Sequence, residues 1–171
     1  MKDKFCKESR TVFSNHVLPL DTNNLGTLFG GKLVAYIDDV AARAAMKHSR
    51  CTCVTASMDS IDFIAPVKAK DEVVLEAFVT WTHRTSMEVF VKVINENLLT
   101  GEREVCVTAF LTFVALDDQD RPTPVPGIIP ESPVEIELNQ SASTRAEARK
   151  LRRAESKRIA ASFGVGFPWD R

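Results

Sequence analysis

Two adjacent acids, Asp38 and Asp39, stand in an alanine-rich stretch whose apolar residues recur at helical spacing. Positions three and four apart share a helix face. Asp38 falls in the row Val34, Asp38, Ala41, Ala45, beside the parallel apolar row Leu33, Ile37, Val40, Ala44. Asp39 falls instead with Lys32, Ala35, Arg43 and Met46, and Arg43 four residues on is a natural ion-pair partner. Asp39 therefore reads as a surface acid and Asp38 does not. A carboxylate among apolar side chains is costly to keep ionised unless a hydrogen-bond partner offsets its lost hydration. Such positions tend to be functional or carefully satisfied. Helical spacing alone leaves open a catalytic Asp38 and an Asp38 that bonds a neighbouring backbone group.

Just ahead of this stretch runs Leu28-Phe29-Gly30-Gly31. Paired glycines let another group approach the backbone closely, and first-turn N–H groups carry partial positive charge suited to an oxyanion. Simple helix entry is the competing reading. His48 and His83 stand apart from this constellation, and a capping or dipole role near a helix end accounts for His48. Cys51 and Cys53 are one residue apart, not the two-residue gap of a zinc or redox pair, and His16, His48 and His83 are scattered. No metal site and no cofactor are expected.

The elements that must position these residues follow from hydrophobic period. Residues 10–18 alternate as a strand, residues 19–31 are rich in turn formers, and the helix occupies about 32–47. A strand over 53–64 has Val54, Ala56 and Met58 on one face and then shifts phase to Ile61 and Phe63. A side-chain period of two changes phase only at a bulge, expected near Asp59-Ser60. Three alternating runs follow, 73–81, 87–93 and 105–115, joined by turn signals that suit antiparallel hairpins. One helix followed by consecutive strands is an α+β pattern.

Five of the eight prolines lie between Pro122 and Pro133. The chain divides into a domain over 1–120, a Pro-rich linker over 121–142 and a basic helical tail over 143–171. Between Arg145 and Arg158 seven Arg/Lys meet two Glu, net +5, leaving −6 for the remainder. A solvated helix face is the plainer reading of that charge. The end of the tail, from Phe163 through Gly164-Val165-Gly166-Phe167-Pro168-Trp169, suggests docking on another surface. A whole-chain charge of −1 gives no argument for nucleic acid, and no apolar run approaches the ~18 residues of a membrane span. The first residues lack a signal-peptide core, so a cytoplasmic location is expected.

Several motifs in order carry a family resemblance: Pro19-Leu20-Asp21-Thr22-Asn23, Gly26, Phe29-Gly30-Gly31, Asp38, the run Val54 to Phe63, Thr85-Ser86-Met87-Glu88-Val89 and Leu99-Thr100-Gly101-Glu102. Over about residues 9–120 the chain resembles the acyl-CoA thioester hydrolase branch of the hotdog superfamily. The resemblance implies an antiparallel sheet wrapped around the long helix, to which this chain adds a C-terminal helical extension longer than a minimal hotdog domain requires. It implies dimers with a continuous sheet, assembled further as a homohexamer (a trimer of dimers), and active sites at the dimer interface. Its catalytic carboxylate falls on Asp38. Its polar partner falls on Asn23, reaching across the interface, with Asn24 a shifted alternative.

The implied reaction is hydrolysis of an acyl-CoA thioester, with Asp38 as general base or as nucleophile. The Gly31 N–H would stabilise the oxyanion. Arg84, Thr85, Ser86 and Arg121 are candidates for binding CoA, and Arg149, Arg152 or Arg153 of the tail could add charge. Tyr36, Met58 and Phe63 are candidates for the acyl channel. A hotdog hydratase would need a histidine–acid pair that these residues do not supply. A non-catalytic acyl-CoA sensor is the reading from another class, and this sequence contains no evident output module for one. No specific nucleic acid and no membrane partner are expected.

Overall fold

The computed structural model describes residues 1–167 and Trp169. Pro168, Asp170 and Arg171 lie outside the described residues, so the docking expected of the tail's last motif is described only in part. In chain order the elements are β1 (Lys4–Phe5), α1 (Cys6–Ser9), β2 (Thr11–His16), a 3-10 turn (Pro19–Asp21) and α2 (Gly30–Ser49). They continue with β3 (Thr52–Phe63), β4 (Glu72–Thr82), β5 (Ser86–Glu96), β6 (Arg103–Leu116), β7 (Ile128–Ile129) and α3 (Pro133–Phe163).

The main sheet is antiparallel in the order β2-β4-β5-β6-β3, which leaves β3 as an edge strand. Its inner face is the alternating set seen in the sequence. Val73, Leu75, Ala77 and Val79 of β4, Val89, Val91 and Val93 of β5, and Val107, Ala109, Leu111 and Phe113 of β6 are fully buried. They close on Leu33, Ile37, Val40, Ala41, Ala44 and Ala45 of α2. Alanines on that face let the helix sit close to the sheet. Each large aliphatic side chain so buried contributes about 1.5–3 kcal/mol. This is the α+β, sheet-around-helix arrangement expected of a hotdog fold. Arg50, at φ 60°, ends α2 in the left-handed region with its N–H on the Met46 carbonyl.

The strand β3 changes register against β6 twice, between Thr55 and Ser57 and between Met58 and Ser60. The second shift is the bulge the phase change predicts. The first is additional, and it separates Thr55 from the rest of the strand.

The tail differs from expectation. Its helix begins at Pro133, not near 143, because Ser132 caps it and Glu135 closes a capping box. Proline suits a first helical position, so the last proline of the cluster starts the helix instead of extending the linker. Nor is the basic face merely solvated. Arg145 pairs with the buried Glu88 at 2.7 Å, and Arg149 and Arg152 pair with Asp59 at 2.8 and 2.6 Å. Burial alone would raise the Asp59 carboxyl, but bonds from Thr112, Ser57 and Arg149 outweigh it and hold the group below its ordinary value.

Candidate active site

The loop before α2 is organised by Asn23. Its Oδ1 accepts from the Leu25 amide at 2.9 Å and from the Thr27 amide and hydroxyl, while its Nδ2 donates to Thr27 Oγ1 at 2.9 Å. A carboxamide nitrogen carries two hydrogens, so one donor remains after this bond. Asn24 is exposed. Downstream, the Phe29 amide donates to Asp21 O at 2.8 Å, and Lys32 pairs with Asp21 across the helix entrance. That bond, which Lys32 Nζ donates to the Asp21 carboxylate, raises the Lys32 pKa.

The first amides of α2 behave as helix physics requires. Lys32 and Leu33 donate to Phe29 O, while the Gly30 and Gly31 amides find no partner among the described residues. A Cβ on Gly31 would stand 2.6 Å from Cε1 of the Phe29 ring, so this position fits only glycine unless that ring moves. A cavity of about 370 Å³ opens here, lined by Asn23, Thr27, Gly30, Leu33, Phe63 and Pro66 among others. Asn23 and the helix entrance thus share one concavity, with Phe63 on its wall.

Asp38 lies two turns further along α2 and does not line that cavity. In the isolated chain it is half-buried, less enclosed than its apolar row suggests. Its Oδ1 accepts a hydrogen bond from Thr55 Oγ1 at 2.8 Å. Its second oxygen has no protein partner among the described residues, and a carboxylate so placed can accept a proton from water. Asp39 pairs with Arg43 on the exposed face, as the helical spacing predicts. Thr55 is the residue that sequence reasoning missed. It sits immediately before the first register shift of β3, and no local pattern marks that shift.

The side chain of Asn23 is taken up with its own loop and makes no bond to Asp38 of the same chain. The two side chains therefore stand in separate settings, Asn23 within its loop and Asp38 beside Thr55. Among the expected channel residues, Met58 and Phe63 are exposed. Tyr36 packs on Phe13 with ring centroids 5.1 Å apart, and its hydroxyl accepts from Asn15.

The turn between β4 and β5 presents Arg84 with an exposed guanidinium that has no partner among the described residues. Its backbone is fixed. The Arg84 carbonyl accepts from the Val125 amide, the Thr85 carbonyl from the Ala115 amide, and the Ser86 carbonyl from the His83 amide. Arg121 is not free in the same way. Its guanidinium is held by Asp117 at 3.0 and 3.2 Å, so much of its charge is already answered. Arg149 and Arg152 are likewise committed to Asp59, whereas Arg153 is exposed.

His48 is buried, with Nε2 2.9 Å from the Pro126 carbonyl and Nδ1 unpartnered among the described residues. Burial lowers its pKa, against the opposing Pro126 bond. A neutral imidazole supplies little to the helix dipole, so the expected dipole role gives way to that of a buried bridge to the segment carrying Pro126.

The fold defines a hotdog protein of the thioesterase type, and comparison with known proteins agrees. The thioesterase superfamily model matches residues 25–102. An uncharacterised acyl-CoA thioester hydrolase of Bacillus subtilis (strain 168) is 55% identical over 97% of this chain and 96% of its own. An apo-hexameric acyl-CoA thioesterase structure superposes with TM-score 0.88 at 49% identity, covering 90% of this chain and 99% of that one. The acyl-CoA hydrolase of Staphylococcus aureus, solved with butyryl coenzyme A and coenzyme A, gives TM-score 0.87 at 42% identity over 91% of this chain and 95% of its own. That hydrolase has also been solved as alanine variants at an aspartate, a threonine and an asparagine. The chain belongs to the acyl-CoA thioester hydrolase family of the hotdog thioesterase superfamily.

Proposed function

We propose that the protein hydrolyses acyl-CoA thioesters to a free acid and CoA, with Asp38 as general base in a site completed by a second copy. The observation that carries this reading is the half-buried Asp38 carboxylate, held by Thr55 and otherwise open. Asp38 takes a proton from water as the water oxygen bonds to the thioester carbon, and the tetrahedral oxyanion faces the open N–H of Gly31 of the partner subunit, whose helix entrance also carries Asn23. As the carbon–sulfur bond breaks, the proton passes to the departing CoA sulfur. Loss of one oxyanion donor typically costs ~10²–10³ in rate. No cofactor is required by this chemistry.

The second copy joins at the edge strand β3, twelve residues long and carrying exposed Val54 and Met58. An unpaired edge of this length is a template for pairing, and two-fold pairing brings Asn23 of the partner subunit to Asp38. Further assembly as a trimer of dimers follows the hexameric relative. In the Staphylococcus aureus hydrolase the substituted asparagine, aspartate and threonine follow at intervals of 15 and 17 residues, the same intervals that separate Asn23, Asp38 and Thr55 here. That coincidence supports all three assignments and favours Asn23 over Asn24.

Arg84 with Thr85 and Ser86 offers cationic and hydroxyl contacts to the CoA phosphates, with Arg121 a weaker contributor. Four unpaired cysteines suit a reducing cytoplasm, and no described helix is long and apolar enough to cross a membrane. The test is release of free CoA, read with a thiol reagent across acetyl- to palmitoyl-CoA. Turnover that Asp38→Ala abolishes is expected. Tight acyl-CoA binding without release at any chain length would instead make the protein a sensor.

A further inference from the structure

The helix α3 crosses the outer face of the sheet strand by strand. Asn139 donates to the Thr80 carbonyl of β4, and Arg145 reaches Glu88 of β5 while lying over the Phe110 ring of β6. Arg149 and Arg152 then reach Asp59 of β3. The order of these contacts is the order of the strands, and β3 is the last of them. The helix does not end there. It continues to Phe163, and residues 153–163 are exposed throughout. At 1.5 Å per residue this overhang is about 16 Å long, roughly the width of three strands spaced ~4.8 Å apart.

Short helices in water draw most of their stability from packing an apolar face. The overhang carries such a face without a partner among the described residues: Ile159 is 41% and Phe163 81% exposed. It also carries Arg153, Lys157 and Arg158 against a single Glu155, whereas the chain outside residues 145–158 has a net charge of −6. The rest of the chain is therefore opposite to it in net charge.

We propose that residues 153–163 form an arm that docks on the outer face of a second copy of this chain, across the seam made by two β3 edges. The proposal rests on the β3 pairing put forward above. The trajectory aims the arm past β3, where a paired sheet continues, and two-fold symmetry gives each copy one arm and one receiving surface. Asp59 anchors the base of the arm inside the strand that forms the seam, so arm and seam are mechanically joined.

The test places p-benzoyl-phenylalanine at position 159 of the full chain, irradiates it, and maps the cross-linked peptides. Sedimentation velocity of the same sample reports assembly. Cross-links joining two chains, with the arm attached to strand residues of the other copy, are expected in an assembled sample. A second sample carrying Ile159→Glu and Phe163→Glu should dissociate at a protein concentration about tenfold higher than wild type or more. An assembled protein whose cross-links stay within one chain, or are absent, overturns the arm while leaving β3 pairing intact. Cross-links only to nucleic acid or lipid also overturn it. A monomer in sedimentation overturns the β3 pairing itself, and the arm with it.

Discussion

Thr55 Oγ1 donates to Asp38 Oδ1 across 2.8 Å, joining the edge strand β3 to the face of α2. The bond fixes one carboxylate oxygen and leaves the other to meet water. A hydrogen bond to a charged acceptor is worth about 1.5–3 kcal/mol. Thr55→Val should therefore lower kcat by roughly 10- to 100-fold while leaving thermal stability near wild type. Thr55→Ser keeps the hydroxyl and should recover most of the rate. Steady-state kinetics on both variants decide the matter, and a Thr55→Val enzyme with wild-type kcat removes Thr55 from the mechanism.

Asp59 anchors α3 from within the bulged part of β3. With Arg149 at 10% and Asp59 at 7% side-chain exposure, removing one partner of this pair costs about 3 kcal/mol. Asp59→Asn should lower Tm at neutral pH by several degrees. Because the folded-state pKa of Asp59 is depressed, its contribution is present above the unfolded value near ~3.9 and is lost as pH falls through the folded value. Melting curves of wild type and Asp59→Asn should converge at the acid end. A constant gap at every pH contradicts this.

His48 gives a second pH signature in a different window. Burial lowers its folded-state pKa, so the neutral ring stabilises the fold fully above the unfolded value near ~6.5, and this is lost as pH falls below it. His48→Gln can retain a donor to the Pro126 carbonyl without titrating there. Its Tm should change less than that of wild type between about pH 7 and about pH 5. Equal slopes would mean that His48 is not the titrating group.

Local periodicity made much of this architecture legible before any coordinates. Asp38 was separable from Asp39 because helical rows are a local property, and the Asp39–Arg43 pair and the Asp59–Ser60 bulge were legible for the same reason. Thr55 was not, because its partner is 17 residues away and its register shift leaves no phase change of its own. The arginines of α3 read as solvated because their acids, Glu88 and Asp59, sit on the polar face of distant strands. The early start of α3 was written locally in Ser132-Pro133 and Glu135, where the proline cluster masked the capping box. That α3 overshoots β3 follows only from the sheet order.

The central claim is that Asp38 acts with Asn23 of the partner subunit, and subunit mixing tests it most directly. Asp38→Ala and Asn23→Ala chains, each inactive alone, are co-expressed in equal amounts, and acyl-CoA hydrolysis by the mixed assemblies is measured. Sites built across the interface should restore about a quarter of wild-type activity, because one site in four then receives both intact residues. No recovery, in assemblies shown to contain both chains, would mean that the two residues act within one chain or not together, contradicting the account.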